Sequence, residues 1–184
     1  MKSIRILRDE TLCVGRRVSL IKRVLHVEGK ELVKDVIDFG EAVAIVPITN
    51  DEQVIMLRQY RAAVNDWIYE IPAGRIEEGE SIEEAARREL IEETGYEPGI
   101  LRRVISVYTA PGYSNEVLHI LVARKLRYVG AKPEAGEIIE VVKIPLNEAL
   151  KFIIKERIVD AKTVIALTLL QLVPHLLNDD PLNT

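Results

Sequence analysis

Three glutamates near the end of one predicted helix have the types and the spacing to bind a metal ion together. Glu89 and Glu93 are four residues apart and Glu92 follows Glu89 by three, so they project toward one side of an α-helix. Like charges at this spacing repel, and anions near a helix C-terminus oppose the helix dipole. A divalent cation such as Mg²⁺ or Mn²⁺ removes the repulsion and prefers oxygen ligands. The residues alone leave open a second interpretation, a surface cluster neutralised by Arg87 and Arg88.

The bounds of this helix follow from its flanking residues. Ser81 and Glu84 have the spacing of a capping box, in which each side chain accepts a hydrogen bond from the other residue's backbone N–H. Gly95 is typical of the left-handed residue that follows a helix. The sequence therefore predicts a helix that begins just after Ser81 and ends just before Gly95.

The elements around this helix predict an α+β protein. Segments rich in β-branched residues predict strands, and two later segments have helical periodicity, with Asp160 as the N-cap of the second. The predicted strands are RRVSLIKRVLHV, ELVKDVIDF, EAVAIVPI and QVIMLRQY before the helix and ILRRVISVY, EVLHILVARKL and EIIEVVKI after it. The later helices are PLNEALKFIIKER and DAKTVIALTLLQLV.

Composition limits the class of protein. With 184 residues and 48% hydrophobic residues, the chain can build one sizeable core. Its net charge of −4 argues against nucleic-acid binding, and the apolar run VIALTLLQLV is too short to cross a membrane. The first ten residues do not resemble a secretory signal, so we expect a cytoplasmic protein. We predict the single cysteine, Cys13, to be a small core residue.

The fixed positions around the glutamates resemble the Nudix box. These positions, in the spacing of that motif, are Gly74, Glu80, Arg88-Glu89-Leu90, Glu92-Glu93 and Gly95. Tyr96 stands where the family more often has an aliphatic residue. The chain therefore resembles the Nudix hydrolases over most of its length. The resemblance implies the Nudix fold, an α/β/α sandwich with a mixed β-sheet and an N-terminal antiparallel β region.

The resemblance also implies roles for residues of the box. Glu89 and Glu93 correspond to the principal metal ligands, Glu92 to a further or water-mediated ligand, and the carbonyl of Ala73 to a backbone ligand. Arg88 corresponds to a residue that orients a glutamate, and Glu80 to a structural residue. The family uses divalent metals, with Mg²⁺ expected and Mn²⁺ or others possible, to cleave nucleoside diphosphates linked to another group.

Two features outside the box resemble the ADP-ribose pyrophosphatase subgroup. The first is the proline sixteen residues after Gly95, within PG-x-x-x-E, which makes Pro111, Gly112 and Glu116 candidate substrate-binding residues. The second is the segment RQYRAAVNDWIYEIPAG before the box. Its arginines have the fork that binds phosphate, its aromatics can stack on a purine, and its glutamate is a polar candidate. These residues are Arg58, Arg61, Trp67, Tyr69 and Glu70.

The subgroup often takes its general base from a late acidic loop. In this chain that loop is KPEAGEIIE, which offers Glu134 and Glu137, and Glu137 aligns better with the strand that follows. The loop is less acidic than in relatives, so Glu93 or metal-activated water remain alternatives for the base.

The sequence thus predicts a Mg²⁺-dependent Nudix enzyme that splits ADP-ribose into AMP and ribose 5-phosphate. Residues 1–40 resemble a β region that exchanges between the subunits of a homodimer, and residues 41–184 resemble the catalytic domain. Alternatives are a hydrolase of another nucleotide sugar such as GDP-mannose and a non-hydrolytic module that senses ADP-ribose. Hydrolysis of oxidised nucleoside triphosphates fits the long N-terminal region less well.

Overall fold

The computed structural model describes residues 3–132, 136 and 138–177. The chain divides into two compact units. One contains Met1–Glu41 and Val107–Leu118, and the other contains Ala42–Ser106 and His119–Thr184. Among the described residues, no helix is both long and apolar enough to span a membrane.

The first unit contains a three-stranded antiparallel sheet in the order β1-β2-β3, as predicted for the N-terminal region. Its strands are β1 (Ile4–Val14), β2 (Ser19–Val27) and β3 (Lys30–Asp38). The turn between β2 and β3 is formed by Glu28 and Gly29, with φ angles of 50° and 83°. Positive φ at both central residues matches the right-handed twist of the flanking strands, so Glu28 and Gly29 form a tight hairpin turn.

Strand β1 is exposed along its whole length. The prediction that Cys13 is a core residue is therefore wrong, since Cys13 lies exposed on this strand. The error has a physical cause: β1 is an edge strand of a sheet with only three strands, so alternation of apolar residues along it does not by itself bury either face.

The second unit is built around a four-stranded sheet in the order β7-β4-β9-β8. Its strands are β4 (Glu41–Pro47), β7 (Ala73–Arg75), β8 (Tyr96–Tyr108) and β9 (Val117–Tyr128). β4 and β7 are antiparallel. Backbone bonds join Gly40 to Val117 and Ile48 to Ala123, so pairing advances the same way along β4 and β9 and these strands are parallel. The sheet is therefore mixed, as predicted.

A second sheet of this unit is antiparallel, with the order β10-β5-β6. Its strands are β5 (Gln53–Arg61), β6 (Asp66–Glu70) and β10 (Ile139–Pro145). Three α-helices accompany the sheets: α1 (Ile82–Thr94), α2 (Leu146–Ile153) and α3 (Ala161–Leu172). Together with the mixed sheet, these elements confirm the predicted α+β class.

Helix α1 is fixed to the mixed sheet by a cluster of small and aliphatic side chains. Ala85, Ala86 and Leu90 of the helix are buried against aliphatic residues of the two central strands, Val43, Ile45, Leu121 and Ala123. Each buried aliphatic side chain contributes roughly 1.5–3 kcal/mol to folding. The alanines let the helix approach the sheet closely, and this contact sets which side chains of α1 face the chain segment before it.

Candidate active site

Both ends of α1 have the predicted caps. The Ser81 hydroxyl accepts a hydrogen bond from the Glu84 N–H (3.2 Å), and the Glu84 carboxylate accepts one from the Ser81 N–H (2.8 Å). Gly95 is left-handed, with φ of 78°, and its N–H donates to the Ile91 carbonyl. The caps fix the first and last residues of the helix, and with them the directions in which its glutamates project.

The three candidate metal ligands differ in burial. The Glu93 residue is only 3% exposed, whereas the Glu89 and Glu92 side chains are 13% and 31% exposed. The carboxylates therefore form a series that leads from the interior of the unit to its surface. A buried carboxylate needs hydrogen-bond donors or a positive charge near it.

The segment before α1 meets these carboxylates at Ala73 and Gly74. The Ala73 N–H donates to Glu93 Oε2 at 2.9 Å. A Cβ atom on Gly74 would lie 1.9 Å from Glu89 Oε1, which no real contact allows. A side chain at position 74 would therefore displace the Glu89 carboxylate, which occupies that space.

Arg88 connects the loop before α1 to two of the carboxylates. Its Nε and Nη2 atoms donate to the two oxygens of Glu80 at 2.8 and 3.0 Å. Its Nη1 atom donates to Glu89 at 2.8 Å and to Glu92 at 3.1 Å, and Nη2 also donates to the Arg75 carbonyl. The hydrogen bonds from Arg88 hold the pKa of Glu80 below its ordinary value. Arg88 thus keeps the loop and the glutamates in one ionic network.

The donor set is suited to a hard divalent cation. Glu89, Glu92, Glu93 and the Ala73 carbonyl supply oxygen atoms only, which is the chemistry that such cations prefer. The Glu89 carboxylate lies close against the backbone of Gly74, where a side chain would displace it. Within the described ranges, no three acidic, histidine or cysteine side chains converge as a preformed metal-ligand group. The fit therefore rests on donor type and on the space at Gly74.

The candidate substrate residues before the box divide between the two faces of the β10-β5-β6 sheet. Arg58 pairs with Tyr69 and Tyr60 with Trp67 across the antiparallel strands, so these four side chains share one face. On this face the Arg58 guanidinium lies 4.6 Å from the centre of the Trp67 ring. Tyr69 packs edge-on against Phe152 of α2.

Arg61 and Glu70 lie on the opposite face of that sheet. Arg61 Nε and Nη2 donate to Glu70 Oε1 and Oε2 at 2.7 and 2.9 Å, and Lys162 Nζ also donates to Oε2. Glu70 is 1% exposed. Burial opposes the charge on Arg61, but the hydrogen bonds and charge of Glu70, with the charges of Glu93 and Asp160, keep its pKa above the ordinary value. Of the two candidate arginines, Arg61 is therefore the one whose charge interacts with a carboxylate of the box, that of Glu93.

The Pro111 loop belongs to the first unit. Pro111 and Gly112 lie in a turn whose Tyr113 and Ser114 N–H groups donate to the Ala110 carbonyl. Glu116 accepts a hydrogen bond from the Thr109 hydroxyl, which closes the base of this loop.

The candidate general bases, Glu134 and Glu137, lie outside the described residues. The chain just before them is tied to the C-terminus of α1. The Lys132 N–H donates to the Glu92 carbonyl at 3.0 Å, and the Val129 N–H donates to the Gly95 carbonyl at 2.8 Å.

The first turn of α3 makes contacts that the sequence did not predict. Asp160 caps this helix as predicted, accepting from the Thr163 N–H. The unpredicted contacts are those of Lys162 to Glu70 and of the Thr163 hydroxyl, which accepts from the Ile71 N–H at 2.9 Å. The available signal was a charged pair, Asp160 and Lys162, at the start of an otherwise apolar helix.

Comparison with known proteins agrees with this geometry. The family model described as NUDIX domain matches residues 38–166. A methanol dehydrogenase activator from Bacillus methanolicus is 38% identical, covering 90% of this chain and 91% of its own. An ADP-ribose pyrophosphatase from Bacillus subtilis (strain 168) is 35% identical, covering 94% and 96%. A GDP-mannose pyrophosphatase from Citrobacter koseri is 34% identical, covering 74% and 76%.

A solved structure extends the likeness to three dimensions. The crystal structure of an ADP compounds hydrolase superposes with a TM-score of 0.80 at 29% identity, covering 91% of this chain and 92% of that one. The chain belongs to the Nudix family. It is a divalent-metal-dependent Nudix hydrolase, and the bond that this class of enzyme cleaves is a pyrophosphate.

Proposed function

We propose that this enzyme hydrolyses ADP-ribose to AMP and ribose 5-phosphate, with Mg²⁺ as its metal. The observation that carries the reaction type is the meeting of the α1 carboxylates with the Ala73-Gly74 segment, where Glu93 accepts from the Ala73 N–H and Glu89 fills the space beside Gly74. The choice of ADP-ribose is supported by the likeness to the ADP-ribose pyrophosphatase and to the ADP compounds hydrolase.

In this proposal the metal is held by Glu89, Glu92, Glu93 and the carbonyl of Ala73. When bound, a divalent cation would activate water and neutralise charge on the pyrophosphate oxygens. Arg88 keeps Glu89 and Glu92 oriented through its Nη1 atom.

The proposed substrate contacts lie outside the carboxylate series, with Arg61 on one face of the β10-β5-β6 sheet and Trp67 on the other, so in the proposed homodimer these two come from different subunits. Arg61 is proposed to bind the diphosphate through the guanidinium atoms that Glu70 does not use. Trp67, with the Arg58 guanidinium over its ring, is proposed as the aromatic platform for the purine. Tyr69, which packs against Phe152 of α2, is proposed to support this platform. Pro111, Gly112 and Glu116 are proposed to contact the substrate by likeness to the subgroup alone.

The reaction balances without any co-reactant besides water. A water oxygen forms a new bond to one phosphorus, the bridging P–O bond breaks, and each product retains one phosphate. The water proton passes to a general base, for which Glu137 and then Glu134 are our candidates. Their test is a pair of variants, Glu137→Gln and Glu134→Gln. We expect the turnover of one of them to fall by roughly 10² to 10⁴-fold.

We also propose that the enzyme is a homodimer in which residues 1–40 exchange between subunits. The support is the exposed apolar surface of β1, where Ile4, Ile6 and Val14 are 62%, 56% and 73% exposed. An exposed apolar edge strand invites pairing with a second chain.

The experiment that tests the substrate is chromatographic product analysis with Mg²⁺ across ADP-ribose, GDP-mannose, ADP-glucose, NADH and 8-oxo-dGTP. We expect AMP and ribose 5-phosphate to form fastest from ADP-ribose. Preferred cleavage of GDP-mannose would support the nucleotide-sugar alternative. Binding of ADP-ribose without cleavage of any substrate would support the sensing alternative, against which the three carboxylates of α1 argue.

A second candidate function follows from the relative named as a methanol dehydrogenase activator. The test is the rate of a purified methanol dehydrogenase with and without this protein. Activation by the natural chain but not by the Glu93→Gln variant would link that effect to hydrolysis, and equal activation by both would separate the two functions.

A further inference from the structure

Four charged side chains link β5 and β6 to the first turn of α3, and we call them the Glu70 cluster: Arg61, Glu70, Lys162 and Asp160. Arg61 forms a two-pronged pair with Glu70, and Lys162 donates to Glu70 Oε2. Lys162 Nζ also lies 3.1 Å from Asp160 Oδ1. Two cations and two anions balance, so the cluster is neutral.

Glu70 depends on both of its cations. Its side chain is 1% exposed, while those of Lys162 and Asp160 are 16% and 15% exposed. A carboxylate removed from water to this extent must be paired and fully hydrogen-bonded. Because Lys162 attaches to Oε2 while Arg61 grips both oxygens, Lys162 restricts the orientation of the Glu70 carboxylate, and through it the plane of the Arg61 guanidinium.

The remaining part of Arg61 is available to a ligand. Glu70 uses the Nε and Nη2 atoms, and in the part of the chain that the structure describes, the Nη1 atom makes no hydrogen bond. The Arg61 side chain is 32% exposed. A guanidinium fixed on one edge and open on the other is suited to binding an anionic oxygen.

The same turn of α3 also holds the backbone that leads to the box. The Thr163 hydroxyl accepts from the Ile71 N–H at 2.9 Å and donates to Asp160 Oδ2 at 2.6 Å. Ile71 lies two residues before Ala73. Asp160 therefore pairs with Lys162, which contacts the Glu70 side chain. It also accepts from Thr163, which contacts the Ile71 backbone.

We propose that Lys162 and Asp160 are positioning residues for the diphosphate site, and that Lys162 acts by orienting Arg61 through Glu70. The inference rests on the proposed function only in assigning Arg61 to the diphosphate. It goes further because it assigns an effect on substrate affinity to residues at the start of α3, which lie outside the box.

The test is calorimetric binding of inorganic pyrophosphate to the full chain in a double-variant cycle. We expect Lys162→Met to weaken binding about tenfold and Arg61→Ala to weaken it by at least as much. In the Arg61→Ala background, Lys162→Met should change binding by less than about twofold, because the path through Arg61 no longer exists. The matched control is the same substitution at an exposed lysine, Lys155→Met. This variant should bind pyrophosphate like the natural chain.

Wild-type affinity in Lys162→Met, or an equal loss in the presence and absence of Arg61, would overturn the proposal. If Lys162→Met does not fold, Lys162→Gln replaces it, because the amide keeps a polar group beside Glu70 while its shorter, neutral side chain loses the ionic hydrogen bond of Nζ to Oε2, and the same cycle applies. Failure of the proposed function is distinguishable: the natural chain would then not cleave ADP-ribose, while the pyrophosphate cycle would still report on Lys162.

Discussion

Gly74 lies at the point where β7 passes the carboxylate of Glu89. The position has no requirement for positive φ, so its constraint is the space that Glu89 fills. We predict that Gly74→Ala lowers kcat by about 10²-fold, since displacement of the proposed metal ligand Glu89 by about 1 Å would cost this much. Stability should change little, because the displaced atoms are the end of a flexible side chain. Steady-state kinetics and thermal unfolding measure the two effects.

Gly29→Ala is the matched control for this prediction. Gly29 has φ of 83° and nothing within 4 Å of an added Cβ, so alanine there strains the backbone without touching α1. We expect a stability loss of about 1 kcal/mol and unchanged kcat per folded molecule. Full activity in Gly74→Ala would show that the contact with Glu89 has no part in catalysis.

At the scale of elements, the Glu80–Arg88 pair attaches the loop before α1 to the helix. The pair is two-pronged, and the pKa of Glu80 is lowered below its ordinary value of 4.5 by Arg88. A lowered pKa in the folded protein means that Glu80 stabilises the fold above its unfolded pKa, and that this stabilisation is lost as the pH falls through the folded value. Glu80→Gln should therefore cost about 1–2 kcal/mol at pH 7 and less below pH 4.

Urea unfolding at pH 7, 5 and 3.5 measures this difference. Glu83→Gln, at an exposed position in the first turn of the same helix, is the control and should differ little from the natural chain at every pH. A difference for Glu80→Gln that stayed constant as the pH fell would contradict the assignment, because a pair with a titrating carboxylate cannot contribute equally on both sides of its pKa.

Elements fixed by local interactions were predictable from the sequence. The caps at Ser81 and Gly95 depend on residues within a few positions of each other, and α1 begins and ends where they predict. The helix predicted over PLNEALKFIIKER is shorter, ending at Ile153, because Lys155, Glu156 and Arg157 offer no apolar side chain that would bury a further turn.

Contacts between distant segments were not predictable in the same way. The pairing of Lys162 with Glu70 joins residues 92 positions apart, and no local pattern encodes it. The separation of Arg58 from Arg61 onto opposite faces follows from strand alternation, but only once the bounds of β5 are known. The box residues could be identified because their spacing is itself the signal.

At the scale of the whole molecule, the proposed dimer depends on the surface of β1. Ile4 and Ile6 are exposed and lie two positions apart, on one face of the strand. Burial of each isoleucine at a subunit interface would contribute roughly 1.5–3 kcal/mol. We predict that the natural chain has twice the chain mass in light scattering and that the double variant Ile4→Lys, Ile6→Lys has the mass of one chain.

Arg5→Ala lies between these two positions and controls for any change on β1. It should leave the mass of the assembly unchanged. A monomeric natural chain, or a double variant that kept twice the chain mass, would rule out this surface as the interface.

The central claim is that carboxylates of α1 support metal-dependent cleavage of ADP-ribose, and Glu93 is the most buried of them. The most direct measurement is product analysis of ADP-ribose with the natural chain and with Glu93→Gln, each with Mg²⁺ and with a chelator, alongside Glu83→Gln. We predict AMP and ribose 5-phosphate from the natural chain and Glu83→Gln only when Mg²⁺ is present, and at least about a 10²-fold loss in Glu93→Gln at an unchanged melting temperature. Cleavage by Glu93→Gln at the natural rate, or cleavage by the natural chain that persists with the chelator, would contradict the account.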